Sequence, residues 1–222
     1  MPPAPEDTLD PATIRTLVIA GWAGRDAAVV DAHVRELEAE SIPRPPRTPM
    51  FYQLAPALLT QQDAIDVAGE QTSGEVECLL VARSDGLWVG LGSDHTDRAL
   101  ERTSVAKSKQ VCAKPVACTL WRFDDIALHW DLLVLRSFVT VGGSRRAYQE
   151  GTVATLLPPF ALVRELAARG GTFTDGAAMF CGTLPALHAI RSAEQFEMEL
   201  HDPVMGRTIR HAYSINVLPD IA

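Results

Sequence analysis

Three acidic residues stand beside apolar runs, where an unpaired carboxylate is expensive. Glu75 and Glu77 flank Val76 in SGEVECLLVA, and Asp94 lies between Ser93 and His95 in GSDHTDR. In an extended strand successive side chains point to opposite faces. Glu75, Glu77 and Leu79 therefore share one face, and Val76, Cys78 and Leu80 the other. Two like charges on one face repel, and burial deepens the penalty. Two readings are open: the glutamates point to water from the polar side of a half-exposed strand, or a cation sits between them. An all-oxygen donor set suits a hard ion, Mg²⁺ or Mn²⁺, with Ca²⁺ able to occupy the same site in a crystal. Zinc fits less well. None of Cys78, Cys112, Cys118 and Cys181 forms a CxxC pair, and the histidines complete no zinc spacing.

Several neighbours could serve such an ion. His95 adjoins Asp94 and is the best candidate base; an exposed turn histidine is the plain alternative. Lys107, Lys109 and Lys114 follow. Each is a solvated surface lysine or the partner of a carboxylate-bearing substrate. In GTLPAL (182–187) the backbone N–H groups and the Thr183 hydroxyl offer a carboxylate cradle, or simply a loop. His129, His188 and His211 show no partner spacing and are read as structural.

The elements must bring these residues together. GEVECLLV reads as a strand over about 75–81, SDG (84–86) as a turn and LWVGLG as the returning strand, which carries Asp94 back towards the glutamates. Upstream, TLVIAGW (16–22) reads as a strand. Val29, Val30, Val34 and Leu37 then recur at helical spacing, with Asp26 at the helix start, where its charge suits the dipole. PRPPRTP (43–49) makes a stiff connector. RALERTSVAKSKQ reads as helical and basic. A short helix is expected near Phe123–His129 and a strand at LLVLRSFVTV. Another helix spans about 159–169, between Pro158–Pro159 and Gly170–Gly171. The remainder reads as short strands and turns, and residues 1–12 as a loose tail. The expected fold class is α+β: a β-rich mixed sheet with few helices. Residues 1–48 form a tail, strand and helix packed on a main domain of residues 49–222.

Composition narrows the partners. The 222 residues are 47% hydrophobic and 22% charged, with a net charge of −8. A core is available, and the charge argues against nucleic acid as partner. No stretch approaches the roughly 20 apolar residues of a membrane span, and the N-terminus lacks a basic-then-apolar leader. The expected location is cytoplasmic, with the four thiols free and buried.

The order of these segments resembles the fumarylacetoacetate hydrolase superfamily. FYQLAPALLT is similar to its opening segment, SGEVECLLVA to its E-x-E strand, GSDHTDR to its Asn-Asp-x-x-x-Arg-Asp stretch, KSKQVCAKPVA to its lysine-to-proline segment and DGAAMFCGTLPAL to its Gly-Thr-Pro segment. The similarity covers roughly residues 50–216, and is greatest to a bacterial family of unknown function. It implies a β-rich α+β fold, a homodimer, and a Mg²⁺ or Mn²⁺ ion on Glu75, Glu77 and Asp94. It further implies a substrate carboxylate held by Thr183, Gly182 and Arg98, and a catalytic lysine at Lys107 or Lys109, with the spacing to Pro115 favouring Lys107. The implied activity is hydrolysis of a small oxo or hydroxy carboxylic acid through a metal-stabilised enolate. Hydration or dehydration of a 2-keto acid, decarboxylation and non-catalytic metabolite binding are the alternatives. Departures are present: Ser93 replaces Asn, Leu184 replaces Pro, and no histidine lies between Phe51 and Gly74 to build the hydrolases' His–Glu dyad.

Overall fold

The structure, a computed structural model, describes residues 6–39, 44–189, 192–219 and 221. Two sheets dominate it. The larger has seven strands in the order Glu6–Thr8, Thr119–Arg122, Gly86–Ser93, Val76–Arg83, Ala177–Thr183, Thr16–Gly21, Met50–Leu54. Neighbours run antiparallel except Ala177–Thr183 against Thr16–Gly21. The second has five strands in the order Ser144–Thr152, Val134–Val141, Gln195–Asp202, Arg207–Val217, Ala64–Val67. This is a β-rich α+β fold with few helices.

Alternation in Val76–Arg83 sets the core. Val76, Cys78 and Leu80 join Phe196, Met198, Leu200 and Tyr213 of the five-stranded sheet in one apolar cluster. Leu79 and Val81 face the other way, into a second cluster with Leu17, Ile19, Leu120 and Phe180. The strand is therefore covered on both sides, and of its eight residues only Arg83 escapes full burial. A half-exposed strand with water-facing glutamates is not what forms.

Other expectations are refined. The first strand is Thr16–Gly21 and the first helix Ala27–Ala39, whose start is capped by the Asp26 carboxylate accepting from the Ala28 and Val29 amides. Val34 is buried and Val29 exposed, while the side chain of Leu37, residues 1–5 and the first residue of the proline connector lie outside the described residues. RALERTSVAKSKQ is two short helices, Arg98–Glu101 and Val105–Gln110, because Asp97 and Ser104 each cap a new start. Phe123–Ile126 is helical but passes into a 3₁₀ segment, Ala127–Leu132, kinked at His129. The C-terminal third is not short strands and turns: Ala177–Thr183, Gln195–Asp202 and Arg207–Val217 are long paired strands. Burial alternates along Gln195–Asp202, with Phe196, Met198 and Leu200 turned inward as the period-two pattern directs. The tail is not loose from residue 6 onwards. Glu6 accepts from Trp121 Nε1 at 3.1 Å, and Arg83 donates to Asp7 at 2.6 Å and to the Thr8 carbonyl at 2.7 Å, tying down an edge strand through partners distant in sequence. Of the thiols, Cys78, Cys112 and Cys181 are buried, but Cys118 is exposed. Among the described residues no helix is long and apolar enough to cross a membrane.

Candidate metal centre

The hairpin of Val76–Arg83 and Gly86–Ser93 pairs Val76 with Ser93 and Glu77 with Gly92. One further bond, from the Asp94 amide to the Glu75 carbonyl at 3.0 Å, continues that pairing past the strand ends. Asp94 is thereby delivered beside both glutamates. Carboxylate oxygens of Glu75, Glu77 and Asp94 all lie within 4.8 Å of one another. Glu77 and Asp94 are buried, and Glu75 is reached by solvent only in part.

Two basic side chains from the following segment enter the cluster. Lys109, on the second short helix, places Nζ 3.4 Å from Glu75 Oε2 and in contact with Asp94 Oδ2. Lys114 places Nζ 3.1 Å from Asp94 Oδ1, as an ion pair without hydrogen-bond geometry, and donates to the His95 carbonyl at 2.5 Å. Arg98 closes the outer side: it donates to Ser73 Oγ at 2.7 Å and to Glu101 Oε2 at 2.9 Å, and pairs with Glu75 Oε1 at 3.1 Å. Were all four carboxylates ionised, they would exceed the three cations by one negative charge.

Burial and neighbours split the three acids. Burial favours the neutral acid at each. At Glu75 the charges of Arg98 and Lys109 outweigh it and hold the carboxyl below its ordinary range. At Asp94 Lys109 and Lys114 do the same. Glu77 lacks such a partner, so burial together with Asp94 and Glu75 pushes it well above the ordinary value. The charge of Lys109 opposes this in part, and so does the Gly182 N–H, which donates to Oε2 at 2.7 Å. Gly182 sits at a bulge in Ala177–Thr183 with φ +92°, a left-handed geometry that glycine accepts freely.

Remaining candidates fall into place around this core. Thr183 follows the bulge, but its hydroxyl donates to the Val76 carbonyl at 2.8 Å and accepts from Gln149 Nε2 at 2.8 Å, so in this state it braces the strand. His95 is fully buried. Its Nδ1 lies 3.0 Å from the Tyr213 hydroxyl, and burial, with Lys114 and Arg98 nearby, pushes its pKa down to about 3. Lys107 is on the exposed side of its helix, outside the cluster that Lys109 enters. His129 pairs with Asp202 at 3.0 Å and His188 is exposed. Sequence reasoning missed Tyr213, Gln149 and Glu101. The polar residues of KSKQVCAKP showed lysines but not which ones turn inward, and Tyr213 sits in a segment read as short strands and turns, with no sign that its ring faces His95.

A dication fits what is present. The donors are carboxylate oxygens alone, crowded closely enough that one is driven towards its neutral form. With bonds of about 2.1 Å, small side-chain rotations gather three oxygens at this spacing around one ion. A dication with a monoanionic ligand would also cancel the excess charge.

This β-rich α+β architecture is shared with solved structures of fumarylacetoacetate hydrolase family proteins. The yeast protein ynq8, a member of that family, is 15% identical with a TM-score of 0.66, covering 95% of this chain and 96% of its own. A 2-keto-3-deoxy-D-arabinonate dehydratase complexed with magnesium and 2,5-dioxopentanoate is 16% identical with a TM-score of 0.66, covering 94% of this chain and 75% of its own. Cg1458 with inhibitor is 17% identical with a TM-score of 0.68, covering 93% and 78%. Among curated proteins none matches. The chain itself belongs to the family described as Protein of unknown function (DUF2848), which it matches over residues 20–213.

Proposed function

We propose that this chain is a divalent-metal-dependent enzyme acting on a small oxo or hydroxy carboxylic acid. The observation that carries it is the convergence of Glu75, Glu77 and Asp94 within 4.8 Å in a largely buried cluster. Glu75, Glu77 and Asp94 would hold Mg²⁺ or Mn²⁺. When bound, such an ion supplies Lewis-acid polarisation of a chelated substrate oxygen. The chain's own residues do the rest. Gly182 N–H orients Glu77. Arg98 fixes one oxygen of Glu75 and leaves the other turned to the cluster. Lys109, now between Glu75 and Asp94, is placed to pair with a substrate carboxylate or move a proton at its α-carbon. The dehydratase with a similar fold, complexed with magnesium and a dioxo acid, is consistent with this reading.

Within that class the reading extends to carbon–carbon or carbon–oxygen bond cleavage, and the burial of His95 against Tyr213 favours steps that activate no water, dehydration or decarboxylation, over hydrolysis. The histidine beside the ligands, His95, is buried, engaged by Tyr213 and held neutral by a pKa of about 3. A base so far below neutrality is poorly matched to activating water. At Lys109 burial is outweighed by the carboxylates of Asp94 and Glu75, which hold it an ammonium well above its ordinary value, so it is placed to pair with a developing anion.

Mn²⁺ titration by calorimetry of the wild type and of a Glu75→Gln, Glu77→Gln double variant tests the metal. A panel of 2-oxo and 3-deoxy-2-oxo acids, assayed with Mn²⁺ for loss of the oxo acid, tests the activity. The reading requires one Mn²⁺ per chain in the wild type, none in the variant, and turnover of at least one acid. Metal binding with no turnover would make the chain a metabolite-binding protein; no metal binding would end the enzyme reading.

A further inference from the structure

We propose that Gln149 is a positioning residue of the metal centre. Reaching across from the five-stranded sheet, its amide clamps the backbone between Glu75 and Glu77 to the strand that carries Gly182 and Thr183, and so holds both glutamates at ion-binding spacing. This rests on the metal-dependent reading above.

The first observation is how Gln149 arrives there. It lies on Ser144–Thr152, the outermost strand of the five-stranded sheet. In a regular strand one of two neighbouring side chains faces out. Here Tyr148 and Gln149 are both buried, at 4% and 2% exposure. The register explains it: Ser137 pairs with Gln149 and Phe138 with Ala147, so Tyr148 is an extra residue in a β-bulge. Bulges recur beside functional sites, where they re-aim a side chain.

The second is the completeness of its bonding. Gln149 Oε1 accepts from the Val76 amide at 3.0 Å and from the Ser137 hydroxyl at 2.9 Å. Its Nε2 donates to Thr183 Oγ1 at 2.8 Å and to the Leu184 carbonyl at 2.6 Å. A backbone amide only donates and a backbone carbonyl only accepts, so these contacts fix which way the side-chain amide faces. Its two acceptor positions and two donors are all used. A buried amide left partly unpaired is costly, so the set resists displacement.

The third is what the clamp holds. Val76 stands between Glu75 and Glu77. Gln149 binds its N–H, and the Thr183 hydroxyl donates to its carbonyl at 2.8 Å. The peptide planes on both sides of Val76 are therefore fixed, and with them the positions from which both glutamate side chains leave the strand. The Glu75 carbonyl, in the plane that Gln149 holds, also accepts from the Asp94 amide at 3.0 Å. Gly182, which precedes Thr183, donates to Glu77 Oε2 at 2.7 Å. One side chain is thus tied to the backbone behind each carboxylate, while its own four bonds go to none of them.

The test is Mn²⁺ affinity of the full chain without substrate, by calorimetry at a temperature where each variant is folded, with thermal melting alongside. The variants are Gln149→Met, Thr183→Val, Thr183→Ser, the double variant Gln149→Met, Thr183→Val, and Ser137→Ala. Loss of an outer partner that orients metal ligands weakens a site by about 10–100-fold. The clamp predicts losses in that range for Gln149→Met and for Thr183→Val, and recovery in Thr183→Ser, which keeps the hydroxyl. The double variant should be no weaker than the worse single one, because both remove the same constraint. Ser137→Ala removes a bond to the same amide but leaves Val76 and Thr183 held, so it should melt lower while binding Mn²⁺ like wild type. Wild-type affinity in Gln149→Met, losses that multiply in the double variant, or a Ser137→Ala as weak as Gln149→Met would each overturn the clamp. If Gln149→Met does not fold, Thr183→Val against Thr183→Ser decides, and equal affinities overturn the proposal. No Mn²⁺ binding by wild type overturns the metal-dependent reading and the clamp with it, whereas wild-type binding followed by any of the contrary results overturns the clamp alone.

Discussion

Replacing Gly182 by alanine probes how tightly backbone geometry is coupled to the carboxylate centre. A Cβ at this position would lie 2.8 Å from Ala23 Cβ and 3.5 Å from the Ala20 carbonyl. Both neighbours are backbone-anchored, so the bulge must move. The left-handed φ of +92° itself costs an L-residue roughly 1–2 kcal/mol. Overpacking against a fixed neighbour adds roughly 1–3 kcal/mol. The expected loss is therefore about 2–5 kcal/mol, which for a chain of this length lowers the melting temperature by roughly 4–20 °C. Gly170 supplies the control: it has φ +82° at the exit of the Pro159–Ala167 helix, and an added Cβ there meets nothing within 4 Å. Gly170→Ala should cost only the backbone term, about 1–2 kcal/mol. Urea unfolding of the two variants measures the difference directly. Any shift of the bulge also pulls the Gly182 N–H from Glu77, so Gly182→Ala should weaken Mn²⁺ binding while Gly170→Ala should not. Equal destabilisation of both variants with unchanged Mn²⁺ affinity would refute the coupling.

Three further outcomes follow from named contacts. Lys109→Met leaves Glu75 and Asp94 less compensated in a buried site and should cost roughly 3–5 kcal/mol in metal-free protein, with part of the loss recovered when Mn²⁺ is added; Lys107→Ala, on the exposed side of the same helix, should stay within about 0.5 kcal/mol by urea titration. Asp202 is held below the usual carboxylate range: burial opposes ionisation, but the Met205 amide and His129 more than offset it. A depressed folded pKa gives stability that is present above the unfolded value near 3.9 and fades as pH falls through the folded one. Asp202→Asn should therefore flatten the acid limb of a urea-midpoint profile. With a thiol reagent under native conditions Cys118 should react at once, and Cys78, Cys112 and Cys181 only on unfolding.

Much of the fold was legible because local patterns agreed with global ones. The Val76–Arg83 and Gly86–Ser93 hairpin is written as two apolar runs around SDG, and it alone carries Asp94 back to Glu75 and Glu77. The helix after Asp26 and the one after Pro158 announce themselves by caps and spacing. What stayed hidden depends on distant partners. Glu6–Thr8 becomes a strand only because Arg83 and Trp121 satisfy its acids. Gln195–Asp202 and Arg207–Val217 read as short strands and turns, because their full length depends on pairing with strands distant in sequence. In the site, spacing brought out the three carboxylates, but Lys107 and Lys109 could be told apart only once the Ser104 cap fixed the phase of their helix. Lys114, fully buried against Asp94, gave no local sign of its burial.

The central claim is that three carboxylates gather around a hard dication. A crystal soaked with Mn²⁺ and oxalate, with data collected at the manganese absorption edge, tests it most directly. The account predicts one anomalous peak about 2.0–2.3 Å from oxygens of Glu75, Glu77 and Asp94, with the Lys109 ammonium moved away from Asp94. A Lys109 still seated between Glu75 and Asp94, with the manganese absent from the cluster or bound elsewhere, would contradict it.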